Sequence, residues 1–118
     1  MPCFFFGVKM ATAGDVRRLA LSLEGTTEAP HFDRVAFRAV RIYATLAPGG
    51  RSMNLKLTPD EQELKCLVAP EVFSRIPNAW GEQGWTEARL DRLDQAGLAA
   101  VLEMAWEHGR ATRQRRRR

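Results

Sequence analysis

The stretch Trp80-Gly81-Glu82-Gln83-Gly84-Trp85, running on into Thr86-Glu87-Ala88-Arg89-Leu90-Asp91, carries most of the information about the fold. Two tryptophans flank a pair of glycines, and glycine takes positive φ without steric cost, so the segment predicts strand, tight turn, strand. The final two strands are then expected over residues 76–80 and 84–90. Upstream, Met53, Leu55 and Leu57 alternate with Asn54 and Lys56, the period of a strand with one buried face. The turn signal Pro48-Gly49-Gly50-Arg51 precedes it, and residues 35–39 and 41–47 read as two earlier strands.

Helices frame these strands. Thr12-Ala13-Gly14-Asp15 has the spacing of a capping box, and Val16, Leu19, Ala20 and Leu23 recur at i, i+3, i+4 and i+7. Gly25 supplies a stop, and residues 26–30 read as a loop leading into an extended segment. Thr58-Pro59-Asp60-Glu61 predicts a second helix with N-cap Thr, Pro at N1 and Glu at N3, whose buried stripe is Leu64, Leu67 and Val68. Pro70 ends that helix and opens a short helical turn through Phe73. A last helix begins near Leu93, with Leu98, Val101, Leu102, Ala105 and Trp106 on one face and Gly109 as its C-cap. The order α-β-β-β-α-β-β-α specifies an α+β fold of two layers, an antiparallel sheet packed by helices.

The chain's 118 residues, 45% hydrophobic and 27% charged, suit one globular domain, placed at residues 11–109. Residues 1–10 are expected to be a disordered leader, with Met10 a second candidate start, and residues 110–118 a disordered Arg-rich tail. No apolar run approaches the roughly 18 residues of a membrane span. Cys3 and Cys66 form no scaffold of bridges or metal-ligand spacing, so a reducing cytoplasm is the expected compartment. The net charge of +4 is unevenly placed. Six arginines and no acid follow Gly109, which leaves 12 basic residues against 14 acids in residues 1–109. The body is slightly acidic, and the high pI belongs to the tail.

No motif for a cofactor, a phosphate loop or a catalytic triad is present, so neither an enzyme nor a bound cofactor or metal is expected. His31 has Asp33 as its only local carboxylate and reads as structural. His108 suits the last turn of a helix, and Asp60, Glu61 and Glu63 suit the first. Trp80 and Trp85 have two readings, core packing or a stacking surface of the kind nucleic-acid binders use. Lys56 and Arg89 sit mid-strand among apolar neighbours, where a long cation either lies on a solvated face or serves a ligand. Arg115 and Arg116, with the rest of the tail, would attract phosphate without sequence preference.

Five segments, in order, carry a family resemblance. They are Leu19 to Glu28 (L-A-L-S-L-E-G-T-T-E), Pro30-His31-Phe32, Val35-Ala36-Phe37-Arg38, Asn54-Leu55-Lys56-Leu57, and Trp80-Gly81-x-x-Gly84-Trp85-Thr86. Over about residues 15–109 the chain resembles the MmcQ/YjbR family of small bacterial proteins. Glu24 stands where the family often has proline, a departure confined to a turn. The resemblance implies a fold similar to frataxin-like and secretion-chaperone architectures, and a DNA-binding label argued from a double-wing arrangement of hairpins. On that expectation loops 48–51 and 81–84 are wings, Arg51, Lys56 and Arg89 meet phosphates, and Trp80 or Trp85 shapes the surface. The alternative partner is a protein, docked on a sheet or helix face as secretion chaperones do. A third option is a small ligand near His31 and Trp85.

Overall fold

A computed structural model gives the fold and describes residues 10–111; the leader and most of the Arg-rich tail, with the expectations of disorder placed on them and the candidates Arg115 and Arg116, lie outside the described residues. The elements are α1 (Ala13–Ser22), β1 (Thr27–His31), β2 (Arg34–Arg38), β3 (Ile42–Leu46), β4 (Ser52–Lys56), α2 (Pro59–Val68), β5 (Phe73–Arg75), α3 (Ala79–Glu82), β6 (Trp85–Arg89) and α4 (Gln95–Arg110). The strands form one antiparallel sheet in the order β1-β2-β3-β4-β6-β5. No helix among the described residues is long and apolar enough to cross a membrane.

The sheet has one covered and one open face. Phe37, Met53, Leu55, Ala88 and Leu90 alternate inward and pack with Val16 and Ala20 of α1 and Leu98, Val101, Leu102 and Ala105 of α4. Between Phe37 and Arg38 the β2–β3 register slips by one residue, so Tyr43 becomes the extra residue of a bulge. Tyr43 and Ala44 are therefore both buried in the helix-side core, and Ile42 returns to the open side. The Tyr43 hydroxyl shares a 2.8 Å hydrogen bond with Thr26 Oγ1, and burial pushes its pKa above the ordinary 10.0 despite that bond.

Both expected helix starts are built as boxes. Asp15 N donates to Thr12 Oγ1 and Glu61 N to Thr58 Oγ1, while each acid's carboxylate accepts in return from its cap's backbone N–H. Asp94 caps α4 by accepting from Gly97 N at 2.7 Å.

Several expectations are corrected. A fourth strand precedes α2, because residues 27–31 pair along β2 instead of forming a loop. β1 is an edge strand, mostly exposed, so it lacks apolar alternation and tolerates Pro30, which has no N–H to give. Residues 76–80 are not a strand. β5 ends at Arg75, Pro77 interrupts, and Asn78 Oδ1 accepts from Trp80 N at 2.9 Å to start the single turn α3. The connection from β5 to β6 is thus a folded loop, not the tight hairpin turn expected, and the turn after Pro70, closed by the Val72 and Phe73 N–H groups on the Ala69 carbonyl, runs straight into β5 at Phe73.

The stripe Leu64, Leu67 and Val68 is exposed, with Leu67 at 77%. α2 turns the opposite side inward: Gln62 is buried, Cys66 and Ala69 pack against the core, and Lys65 lies over the Phe73 ring. Burial pushes the Cys66 thiol above its ordinary 9.0, as for an inert thiol. Gly109 does not cap α4, which continues to Arg110. It is glycine because a Cβ there would lie 2.7 Å from the Tyr43 ring, and its carbonyl accepts the N–H groups of Val40 and Arg41.

Candidate nucleic-acid interface

The open face of the sheet holds a groove with a cavity volume of about 630 Å³. One wall is the β1–β2 hairpin, His31, Phe32, Asp33 and Arg34. The floor comprises Ile42, Thr45, Asn54 and Trp85, and the far wall is Ile76, Asn78 and Trp80 from the loop before β6.

The near wall contains a strained turn. His31 pairs with Arg34, so Phe32 and Asp33 alone make the bend, and Phe32 adopts φ 60°. That region suits glycine and is an outlier for a bulky aromatic. Phe32 gains no burial in return: it is 93% exposed, with its ring edge-to-face against His31 at 4.8 Å. Arg34 lies back over the floor, where Nε donates to Thr45 Oγ1 at 2.8 Å and Nη2 to the Thr45 carbonyl. No carboxylate among the described residues pairs with it.

The far wall is pinned from beneath by α2. Gln62 Nε2 donates to the carbonyls of Gly81 at 3.0 Å and Trp85 at 2.9 Å. The Lys56 ammonium donates to the carbonyls of Leu57 and Gln83. Both glycines of this loop are required: a Cβ on Gly81 would fall 1.7 Å from the Ile76 carbonyl oxygen. Gly84 has φ 109°, and a Cβ there would fall 1.8 Å from the Leu57 carbonyl oxygen. This anchoring holds Trp80 on the rim, 59% exposed, while Trp85 is half-buried in the floor.

The sequence candidates scatter accordingly. Trp80 and Trp85 share the groove, but as wall and floor and not as a cross-strand pair. Lys56 lies beside Trp85 in the register, its ammonium occupied by carbonyls; burial pushes its pKa below the ordinary 10.5, and the Arg41 charge adds to this against Glu61. Arg51 and Arg89 are exposed at the far end of β4, and Arg89 pairs with Asp91 at 3.3 Å. Loops 48–51 and 81–84 stand at opposite ends of β4, since Ser52 opens that strand and Lys56, its last residue, pairs with Trp85. His31 belongs to the groove. His108 does not line it and shares a 2.9 Å hydrogen bond with Glu61 Oε1. Phe32, Arg34 and Asn54 were missed as site residues. The available signal was Phe32-Asp33 set between two strands, a turn without glycine.

Charge follows the same division of faces. Strand alternation places Arg34, Arg38, Lys56 and Arg89 on the open side, with Glu87 as the acid there. Asp33 adds an acid on the near wall, while Asp60, Glu61, Glu63, Glu103 and Glu107 lie on α2 and α4 against Lys65 and Arg110, and α1 carries Arg17 and Arg18.

A family model, YjbR, matches residues 21–108. The chain belongs to the YjbR family. Its fold is similar to the crystal structure of Deinococcus radiodurans protein DR2400, which carries a DUF419 domain. The TM-score is 0.70 at 20% identity, over 82% of this chain and 77% of that one. No curated protein matches significantly. Within the matched residues, the groove joins His31 and Phe32 to Trp80 and Trp85 across the sheet.

Proposed function

We propose that this YjbR family member binds DNA without chemistry, as a bacterial cytoplasmic protein, and that the open face of the sheet is its binding surface. The observation that carries the reading is the balance of charge: the open face carries Arg34, Arg38, Lys56 and Arg89 against Glu87 and Asp33, whereas α2 and α4 carry Asp60, Glu61, Glu63, Glu103 and Glu107 against Lys65 and Arg110. A body that is slightly acidic overall still presents a locally basic face, and phosphate contacts depend on the local field. Arg38 and Arg89 are exposed, and the surface pair of Arg89 with Asp91 is weak enough for phosphate to displace; Lys56 contributes charge while holding the loop. The loops 48–51 and 81–84, at opposite ends of β4, flank this face as its two borders and do not act as a pair at one end.

The test compares the full chain with one ending at Ala111 for DNA affinity by fluorescence anisotropy across a salt series. The reading expects the shorter chain to keep most of the affinity, and Arg38→Ala with Arg89→Ala to weaken it and flatten the salt dependence. Affinity that disappears with the tail overturns it.

A second reading is supported by a separate observation. Leu64, Leu67 and Val68 form an exposed apolar stripe on α2, the kind of surface that marks a protein-docking site. Retention of DNA binding by Leu64→Gln with Leu67→Gln would keep the two surfaces distinct.

A further inference from the structure

From the groove we infer that this protein grips unpaired bases of a single strand, stacking them on Phe32 and Trp80 at opposite walls with Trp85 beneath. The inference rests on the DNA-binding reading and specifies what form of nucleic acid the open face takes. Four observations converge on it.

First, the groove has the size of a small-molecule site, within about 300–1,000 Å³. Bases enter such a space singly. In a duplex each base face is covered by its stacked neighbours, so an aromatic side chain meets a base face only where pairing and stacking are broken.

Second, the aromatics are held out at a cost. Phe32 occupies a backbone region that favours glycine and leaves its ring in solvent. Strain of this kind without burial points to a role outside the fold. Trp80 is exposed on a loop that Gln62 and Lys56 hold through three carbonyls, so its ring is presented by a fixed backbone.

Third, the floor offers hydrogen-bonding groups for base edges. The Asn54 side-chain amide makes no hydrogen bond among the described residues although it is half-buried. Asn78 uses its oxygen to cap α3, which leaves its amide N–H groups for a ligand.

Fourth, the charge is complementary to a sugar–phosphate backbone. The Arg34 guanidinium is in the groove itself, bonded only to Thr45, with Arg38 and Arg89 on the same sheet face. An aromatic groove that holds the Arg34 guanidinium, on a face that also carries Arg38 and Arg89, combines the two requirements of single-strand recognition, stacking platforms and an electrostatic track.

The experiment measures affinity of the full chain, over a salt series, for a short labelled single strand and for the duplex of the same sequence. The proteins are the parent, Phe32→Ala, Trp80→Ala, and Arg38→Ala with Arg89→Ala. The parent is expected to prefer the single strand. Each aromatic variant should lose roughly tenfold of single-strand affinity, the scale of one lost base stack, with little change on duplex. The exposed Phe32 ring can be removed without a folding defect, so its variant remains informative if Trp80→Ala disturbs the loop. Aromatic variants that bind the single strand like the parent overturn the inference, as does equal weakening toward strand and duplex. The DNA-binding reading survives both results provided the double arginine variant weakens binding. If no variant alters either affinity, reading and inference fail together.

Discussion

Leu55 and Asn54 are neighbours on one strand and belong to different chemistries. Leu55 faces α1 and α4 and is fully buried; Asn54 faces the groove with its amide unpartnered among the described residues. The same contrast holds across the sheet. The covered face is apolar and close-packed, and it accounts for folding. The open face retains half-buried polar groups, a strained aromatic turn and exposed arginines that the packed core does not need, while Lys56 there holds the loop before β6. A sheet with one face committed to stability leaves the other free to be shaped by a ligand.

The largest expected effect tests the covered face. Leu55→Ala removes a fully buried side chain and should lower stability by about 3 kcal/mol, read from denaturant unfolding, while sparing nucleic-acid affinity per folded molecule. Asn54→Ala, one residue away, should reverse that pattern, with stability nearly unchanged and binding weakened. If both variants changed the same property, the division of faces would not hold.

The next effect has the opposite sign. Phe32→Gly relieves a positive φ and forfeits almost no burial, so it should stabilise the protein by about 1 kcal/mol, seen as a raised Tm, while weakening binding. A stability gain bought with lost affinity would show that the turn is strained for function.

A smaller effect appears with pH. Burial alone would raise the Glu61 carboxyl, but hydrogen bonds from Thr58 and His108, with the His108 charge, outweigh it and hold Glu61 below its ordinary 4.5. A carboxylate depressed in the folded state stabilises fully above its unfolded value, and that contribution is lost as pH falls through the lower folded value. Stability should therefore decline below about pH 4.5, and Glu61→Gln should flatten the decline in acid unfolding curves. The smallest effect is on α2: Leu67→Gln, at an exposed position, should shift stability by no more than about 0.5 kcal/mol.

The α2 result shows what was legible in the sequence. The α2 start could be read because Thr58, Pro59 and Glu61 specify it locally. The direction its apolar stripe faces could not, because that depends on how the helix meets β5. The buried Gln62 gives no apolar signal, since its burial is justified by the Gly81 and Trp85 carbonyls, which are remote in sequence. In α4 the stripe from Leu98 to Ala105 had both period and partner, and there pattern and burial agree. The same logic separates the site residues. Trp80 and Trp85 stood out as large aromatics beside glycines, yet the glycines serve close backbone approaches to Ile76 and Leu57 and not a hairpin turn. The groove unites residues from β1 through β6, and its composition becomes visible only once strand order brings Phe32 and Trp80 to opposite walls. The extra edge strand β1 escaped detection because an exposed edge has little reason to be apolar.

The three tryptophans provide the most direct test of the open face as the binding surface. Trp80 and Trp85 line the groove, whereas the Trp106 indole N–H donates to the Glu24 carbonyl at 2.9 Å on the helical side. Titrating the ¹⁵N-labelled protein with a short single strand and following the indole N–H resonances compares both sides of the molecule in one spectrum. The account predicts that the Trp80 and Trp85 signals shift together with the Asn54 and Asn78 side-chain amides, while Trp106 stays in place. Movement of Trp106 or of the α2 amides, with Trp80 and Trp85 stationary, would contradict it.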